Sequence, residues 1–238
     1  MPAPSRSTRA VLACAAVGAL LASAGCQALS DASQVIGRSD LVNDLAARLD
    51  RSSELTYSID YRLPESRSAT IAQTPQPQRS AYIYPGGRLI ITEEAITECQ
   101  TRGGRETCTI HPPPSPGARP PSSYFTRATE HGLVTPTLVI SLLTAAALDA
   151  EAVIEQHDTT IAGRHATCVT VRQVEKAAAS NFDTCITTEG VLGSFTGVVQ
   201  GTSIDIAMSH YRDTVDPEIF EVPKGAEIVD RRTSAAAR

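Results

Sequence analysis

The strongest constraint on the fold is a change of period. Strand-like alternation fills both halves of the chain, and one segment between them, 137–149, is apolar on nearly every side. Period-two alternation makes half-buried strands, whose apolar faces must rest on something. A helix with no polar face calls for burial all round. Strands on both sides of such a helix predict an α+β fold, a curved antiparallel sheet that curls round central helices.

The first strand is the clearest. Tyr57, Ile59, Tyr61 and Leu63 alternate with Ser58, Asp60 and Arg62. Short strands are expected at 81–84, 88–92, 96–100 and 106–111, split by Pro85-Gly86-Gly87 and Gly103-Gly104, while Pro64, Pro75 and Pro77 mark turns. After the apolar helix the alternation returns at 151–157, 166–175, 182–187, 192–199 and 203–211. Gly163, Glu189-Gly190 and Gly201 supply the turns there. The segment 111–123 holds six prolines in thirteen residues, so it is an extended loop. Before the strands, Ser39 reads as an N-cap for a helix over 40–51, with Leu41, Leu45 and Leu49 on one stripe. Near the end, 215–220 reads as a capped turn that buries Phe220, followed by a last strand near 226–229. Aromatic residues make up 4% of the chain and Trp is absent, so the core is expected from Leu, Val, Ile and Ala.

The N-terminus carries an export signal. Arg6 and Arg9 precede an uncharged run, and Ser23-Ala24-Gly25 leads into Cys26. This resembles the lipobox of bacterial lipoproteins, in which Cys26 is acylated and becomes the mature N-terminus. Ser23 stands where that motif usually has leucine. Two other readings stay open: ordinary cleavage with Cys26 incidental, or retention of the run up to Leu29 as a spanning helix. On the lipoprotein reading, 1–25 is the signal, 26–38 a tether, 39–230 one domain and 231–238 a disordered tail. The protein would sit on the extracytoplasmic face of the cell membrane. Two acyl chains suffice for durable anchoring.

Setting Cys14 and Cys26 aside leaves Cys99, Cys108, Cys168 and Cys185 of the six cysteines. An even set in an exported domain predicts two disulfides. The sequence-local pairing, Cys99–Cys108 and Cys168–Cys185, is favoured because each pair flanks a strand–turn–strand. No C-x-x-C occurs to suggest a metal site.

Charge excludes some partners. The chain has net charge −5, and removing Arg6 and Arg9 with the signal leaves 19 basic against 26 acidic residues, net −7. Nucleic acid is therefore not an expected partner. No catalytic constellation stands out. His111, His131, His157, His165 and His210 show no metal-ligand spacing, Gly193-Ser194-Phe195-Thr196-Gly197 has Phe where a nucleophile elbow needs Ser, and Glu93-Glu94 reads as a solvated strand end. A monomer that is neither an enzyme nor dependent on a cofactor is expected.

The layout resembles the LolA-like half-barrel, most of all the mycobacterial lipid-carrier lipoproteins of the LppX/LprG type. Three stretches carry the resemblance. They are the lipobox with its Leu41-Leu45-Leu49 helix, Asn181-Phe-Asp-Thr-Cys-Ile-Thr-Thr-Glu-Gly-Val-Leu-Gly-Ser-Phe195, and Val215-Asp-Pro-Glu-Ile-Phe-Glu-Val-Pro-Lys-Gly-Ala226. The resemblance implies a lipid or lipoglycan ligand whose acyl chains lie in an apolar cavity; the proline-rich loop 111–123 is not a general mark of the type, and on the lipid-binding reading it is expected to gate the cavity. Leu138, Ile140, Leu142, Leu143 and Ala146 are then cavity candidates. The plainer reading, that they fill a packed core, stays beside it. The other class of function is an envelope sensor or assembly lipoprotein that binds a protein and no lipid.

Overall fold

The computed structural model describes residues 37–115, 118 and 120–232. The signal segment, Cys26 and most of the expected tether and tail lie outside the described residues. Twelve strands form one sheet in the order β12-β6-β5-β4-β3-β2-β1-β11-β10-β9-β8-β7. The N-terminal meander comprises β1 (Tyr57–Arg62), β2 (Ser68–Pro75), β3 (Gln78–Tyr84), β4 (Gly87–Ile91), β5 (Ile96–Arg102) and β6 (Arg105–His111). The C-terminal one comprises β7 (Val153–Ile161), β8 (Arg164–Arg172), β9 (Phe182–Thr187), β10 (Leu192–Val199) and β11 (Thr202–Arg212). β1 and β11 pair antiparallel and fuse the two, with an irregularity at Asp60/Tyr61. A last short strand, β12 (Glu227–Asp230), adds to β6 in parallel.

The sheet is open and curved. Ile161 at the end of β7 lies over Gly193 of β10, and the Arg164 guanidinium stacks on Tyr211 of β11, 3.9 Å from the ring centre. Among the described residues three α-helices fill the concave side: α1 (described from 37 to 51), α2 (Thr126–Glu130) and α3 (Pro136–Leu148). The main core joins Val42, Leu45 and Leu49 of α1 with Val139, Leu142, Leu143 and Ala146 of α3 and the inward residues of the sheet. A smaller cluster of Ala72, Ala81, Ile90 and Phe220 lies apart from it, sealed by the expected capped turn, where the Asp216 carboxylate accepts from Glu218 N–H at 3.0 Å. This is the antiparallel half-barrel around central helices that the change of period predicts.

Both disulfides follow the expected pairing. Cys99 faces Cys108 across β5–β6 and Cys168 faces Cys185 across β8–β9 in register, with Cα separations of 4.0 and 3.9 Å. Each pins one hairpin and closes a short loop, worth roughly 3 kcal/mol on chain-entropy grounds.

Four expectations are corrected. Helix α1 already runs at residue 37, so Ser39 lies inside it and does not cap it. Arg38 is a good helix former and Gly37 costs only about 1 kcal/mol relative to Ala, so the helix extends N-terminally past Ser39. A strand is present at Ser68–Pro75 where only turns were expected. Its residues are small, and Ala72 is buried in the small cluster while Ala69 and Ile71 are buried in the main core, which blurs the alternation. The aromatics, though few, are central: Tyr57, Tyr61, Tyr82, Tyr84, Phe125, Phe182, Phe195 and Phe220 are all buried. A residue type too scarce to dominate composition can still fill much of the interior, because each ring buries a large area. The fourth concerns α3. It ends at Leu148 and is not buried all round; Ser141, Thr144 and Leu148 face outward. The outer hydroxyls bond to the helix's own carbonyls, Ser141 Oγ to Leu138 O at 2.7 Å and Thr144 Oγ1 to Ile140 O at 2.8 Å.

Candidate functional site

The two long helices lie antiparallel. Leu49 and Asp50 near the end of α1 line one cleft together with Pro136, Thr137 and Ile140 at the start of α3. At the other end, Arg38 and Ser39 line a smaller hollow of about 150 Å³ with Ala146, Ala147 and Leu148. The start of α3 is fixed by Thr135, whose side chain accepts from Leu138 N–H, with Pro136 at the first helical position. Its end is fixed by Asp149, whose carboxylate accepts from Glu151 N–H at 3.0 Å and Glu175 N–H at 2.7 Å. These two donors hold the Asp149 carboxyl below its ordinary range.

The cleft measures about 630 Å³. Leu49, Tyr82, Ile91, Phe125 and Ile140 give it apolar walls, and Tyr82 and Phe125 meet edge to face at 5.2 Å. The hairpin β2–β3 contributes Gln73, Thr74, Gln78, Arg79 and Ser80. Gln73 is held firmly: its Nε2 donates to Ser52 O and, at 3.2 Å, to Leu55 O, which ties the end of α1 to β2. Glu93, in the turn after β4, accepts from Gln78 N–H at 3.4 Å, so the acid pair read as a solvated strand end puts one member at the cleft. The Arg79 guanidinium stacks on Phe220, 4.6 Å from the ring centre, and its buried Nε finds no partner among the described residues.

The proline-rich loop forms the outer wall through Pro114, Ser115, Ala118 and Pro120. Its roots are held together. His111 Nε2 lies 3.3 Å from Glu98 Oε2, and its ring meets Tyr124 edge on at 5.4 Å. The strap is thus fixed at both ends beside the cleft.

The cavity candidates divide. Leu142, Leu143 and Ala146 are fully buried in the packed core, and Leu138 is half-buried against it. Ile140 alone of the five reaches the cleft, while Ala146 touches the smaller hollow. Sequence reading missed the polar side chains that the β2–β3 hairpin brings to the cleft, because periodicity did not reveal β2.

The described lining carries hydroxyls, two amides, two carboxylates and one guanidinium, and neither His nor Cys. Among the described residues two groups elsewhere have metal-ligand proximity, His157 with Cys168 and Cys185, and Glu106 with Cys99 and Cys108. In both, the cysteines are spent in disulfides and offer no thiolate. Among the described residues no helix is long and apolar enough to cross a membrane.

No family model matches the chain, and no curated protein matches it. Solved structures that align with it include an uncharacterized conserved protein from Thermus thermophilus, 12% identical over 79% of this chain and 98% of that one, with a TM-score of 0.45. MucB is 11% identical over 78% of this chain and 64% of its own, with a TM-score of 0.43. MucB in complex with MucA(peri) is 13% identical over 79% of this chain and 61% of its own, with a TM-score of 0.40.

Proposed function

We propose that the chain is a cell-envelope lipoprotein, anchored through Cys26 on the extracytoplasmic face. It binds the acyl part of a lipid or lipoglycan in the cleft between α1, the β2–β3 hairpin and the proline-rich loop. The observation that carries the reading is the cleft itself. Its volume of about 630 Å³ falls within the span of small-molecule sites, and its apolar wall passes directly into the core of the half-barrel. The polar side, with Gln73, Ser80 and Arg79, suits a headgroup at the rim. Binding is by burial: methylenes leave water for Tyr82, Ile91, Phe125 and Ile140, at about 0.8 kcal/mol each.

Mass spectrometry of organic extracts from the purified full-length protein tests this. A lipid in stoichiometric amount, lost in Ile140→Trp with the fold intact by circular dichroism, is expected. Extracts no richer than those of an unrelated lipoprotein handled in parallel would sink the reading.

A second reading, a protein partner and no lipid, is favoured by one feature. Strand β7 forms the outer edge of the sheet over nine residues, with Val153, Glu155, Gln156, His157 and Asp158 exposed. Its backbone edge, unpaired among the described residues, is a template for an added strand. Pull-down of an envelope protein that is lost when β7 carries Gln156→Pro would support it.

A further inference from the structure

Helix α3 carries no charged residue from Pro136 to Leu148. Its outward residues Ser141, Thr144 and Leu148 share one face at spacings of three and four. Both hydroxyls on that face are already bonded to the helix's own carbonyls. Such a group loses little when water is removed, because it keeps its hydrogen bond. Leu148 is 84% exposed, the most exposed large apolar side chain among the described residues. The neighbouring helix is built differently. The outward positions of α1 hold Asp40, Asn43, Asp44 and Arg51, and Asp44 pairs with Arg48. Two adjacent helices on one surface, one charged and one not, face different surroundings.

The path of the chain identifies those surroundings. Arg38 and Ser39 line the hollow that Leu148 also lines, so the described chain begins beside Leu148. The segment from there back to Cys26 spans residues 26–36 and reaches at most about 35–40 Å. The far end of the same helix is the cleft, which Thr137 and Ile140 line. We infer that the outer face of α3 rests on the lipid bilayer, with Leu148 among the acyl chains, and that this contact holds the mouth of the cleft at the membrane surface. The Asp149 carboxylate next to Leu148 is occupied by two backbone N–H groups, and the cationic Arg38 lines the same hollow as Leu148. The inference rests on the anchor at Cys26 and adds an orientation to it.

The chain has no Trp, so single introduced tryptophans report on their own surroundings. The full-length protein, acylated by the producing cell, is reconstituted in phosphatidylcholine vesicles with brominated acyl chains. Leu148→Trp and Ser141→Trp are expected to be blue-shifted and to lose about half their emission relative to unbrominated vesicles, as for a ring at the membrane interface. Asn43→Trp on α1 is expected to be unaffected. Ser30→Trp reports on the anchor alone. If Ser30→Trp is quenched while Leu148→Trp behaves like Asn43→Trp, the anchor stands and the docking face is overturned. If Ser30→Trp is unquenched too, the anchor fails and the orientation falls with it.

Discussion

Leu142→Ala and Ile140→Ala separate a packed interior from one with room in it. Leu142 is 1% exposed and belongs to the main core. Trimming its side chain to a methyl removes three carbon groups, roughly 2.4 kcal/mol of transfer free energy at about 0.8 per group. The residual cavity adds to this, so the loss comes to about 3–4 kcal/mol. Ile140 is half-buried and borders open cleft on its outer side. Only part of its transfer term is at stake and no new cavity forms, so its loss is about 1 kcal/mol. Urea unfolding of the oxidised protein measures both, provided the slope m is unchanged between variants. The reasoning is refuted if Leu142→Ala costs no more than Ile140→Ala. That result would mean the inner face of α3 borders empty space, and the acyl cavity would then lie beneath the helix and not at its end.

Two further outcomes follow from the geometry. Gly190, at φ +90° in the β9–β10 turn, would place a Cβ 2.7 Å from Arg48 O on α1, so Gly190→Ala should cost about 2 kcal/mol or more. Gly163→Ala, at φ +77° with open space around it, should cost about 1; equal losses by chemical denaturation would remove the α1 contact from the account. Stability should also fall above pH 10. Burial, with Glu98 adding to it, pushes the Tyr84 phenol up to about 12 from an ordinary 10.0, and burial raises Tyr57 and Tyr61 further. The native state then holds more protons than the unfolded state between pH 10 and 12, so stability drops as pH rises through that window, by up to about 3 kcal/mol for Tyr84. A flat urea midpoint from pH 9 to 11.5 would contradict this.

Much of the fold was legible because strands and turns are local. The alternation at Tyr57, Ile59 and Tyr61, the glycine turns and the capped turn at Asp216 each announce themselves within a few residues. Strand β2 did not, since Ala69, Ile71 and Ala72 are buried in two different clusters and small side chains carry a weak signal. The pairing of β1 with β11 was illegible for another reason. It joins residues about 150 positions apart, such as Ile59 and Tyr211, and the Tyr61 hydroxyl crosses the same seam to donate to Leu192 O at 2.8 Å. Nothing in a local window encodes a partner that far away.

The site was harder still, and α3 shows why. Hydrophobic periodicity reports where water is excluded, not what excludes it. A helix without a charged face was read as buried on every side, because a core is the usual cause. The structure divides that signal in two. Val139, Leu142, Leu143 and Ala146 are uncharged because they pack against the sheet. Ser141, Thr144 and Leu148 are uncharged although nothing in the described chain covers them. For the first group the core is a sufficient reason. For the second, the proposed anchor at Cys26 would bring a bilayer within reach. On the docking inferred above, Leu148 bears most directly on function, while Leu142, Leu143 and Ala146 of the nominated cavity residues lie buried against the sheet.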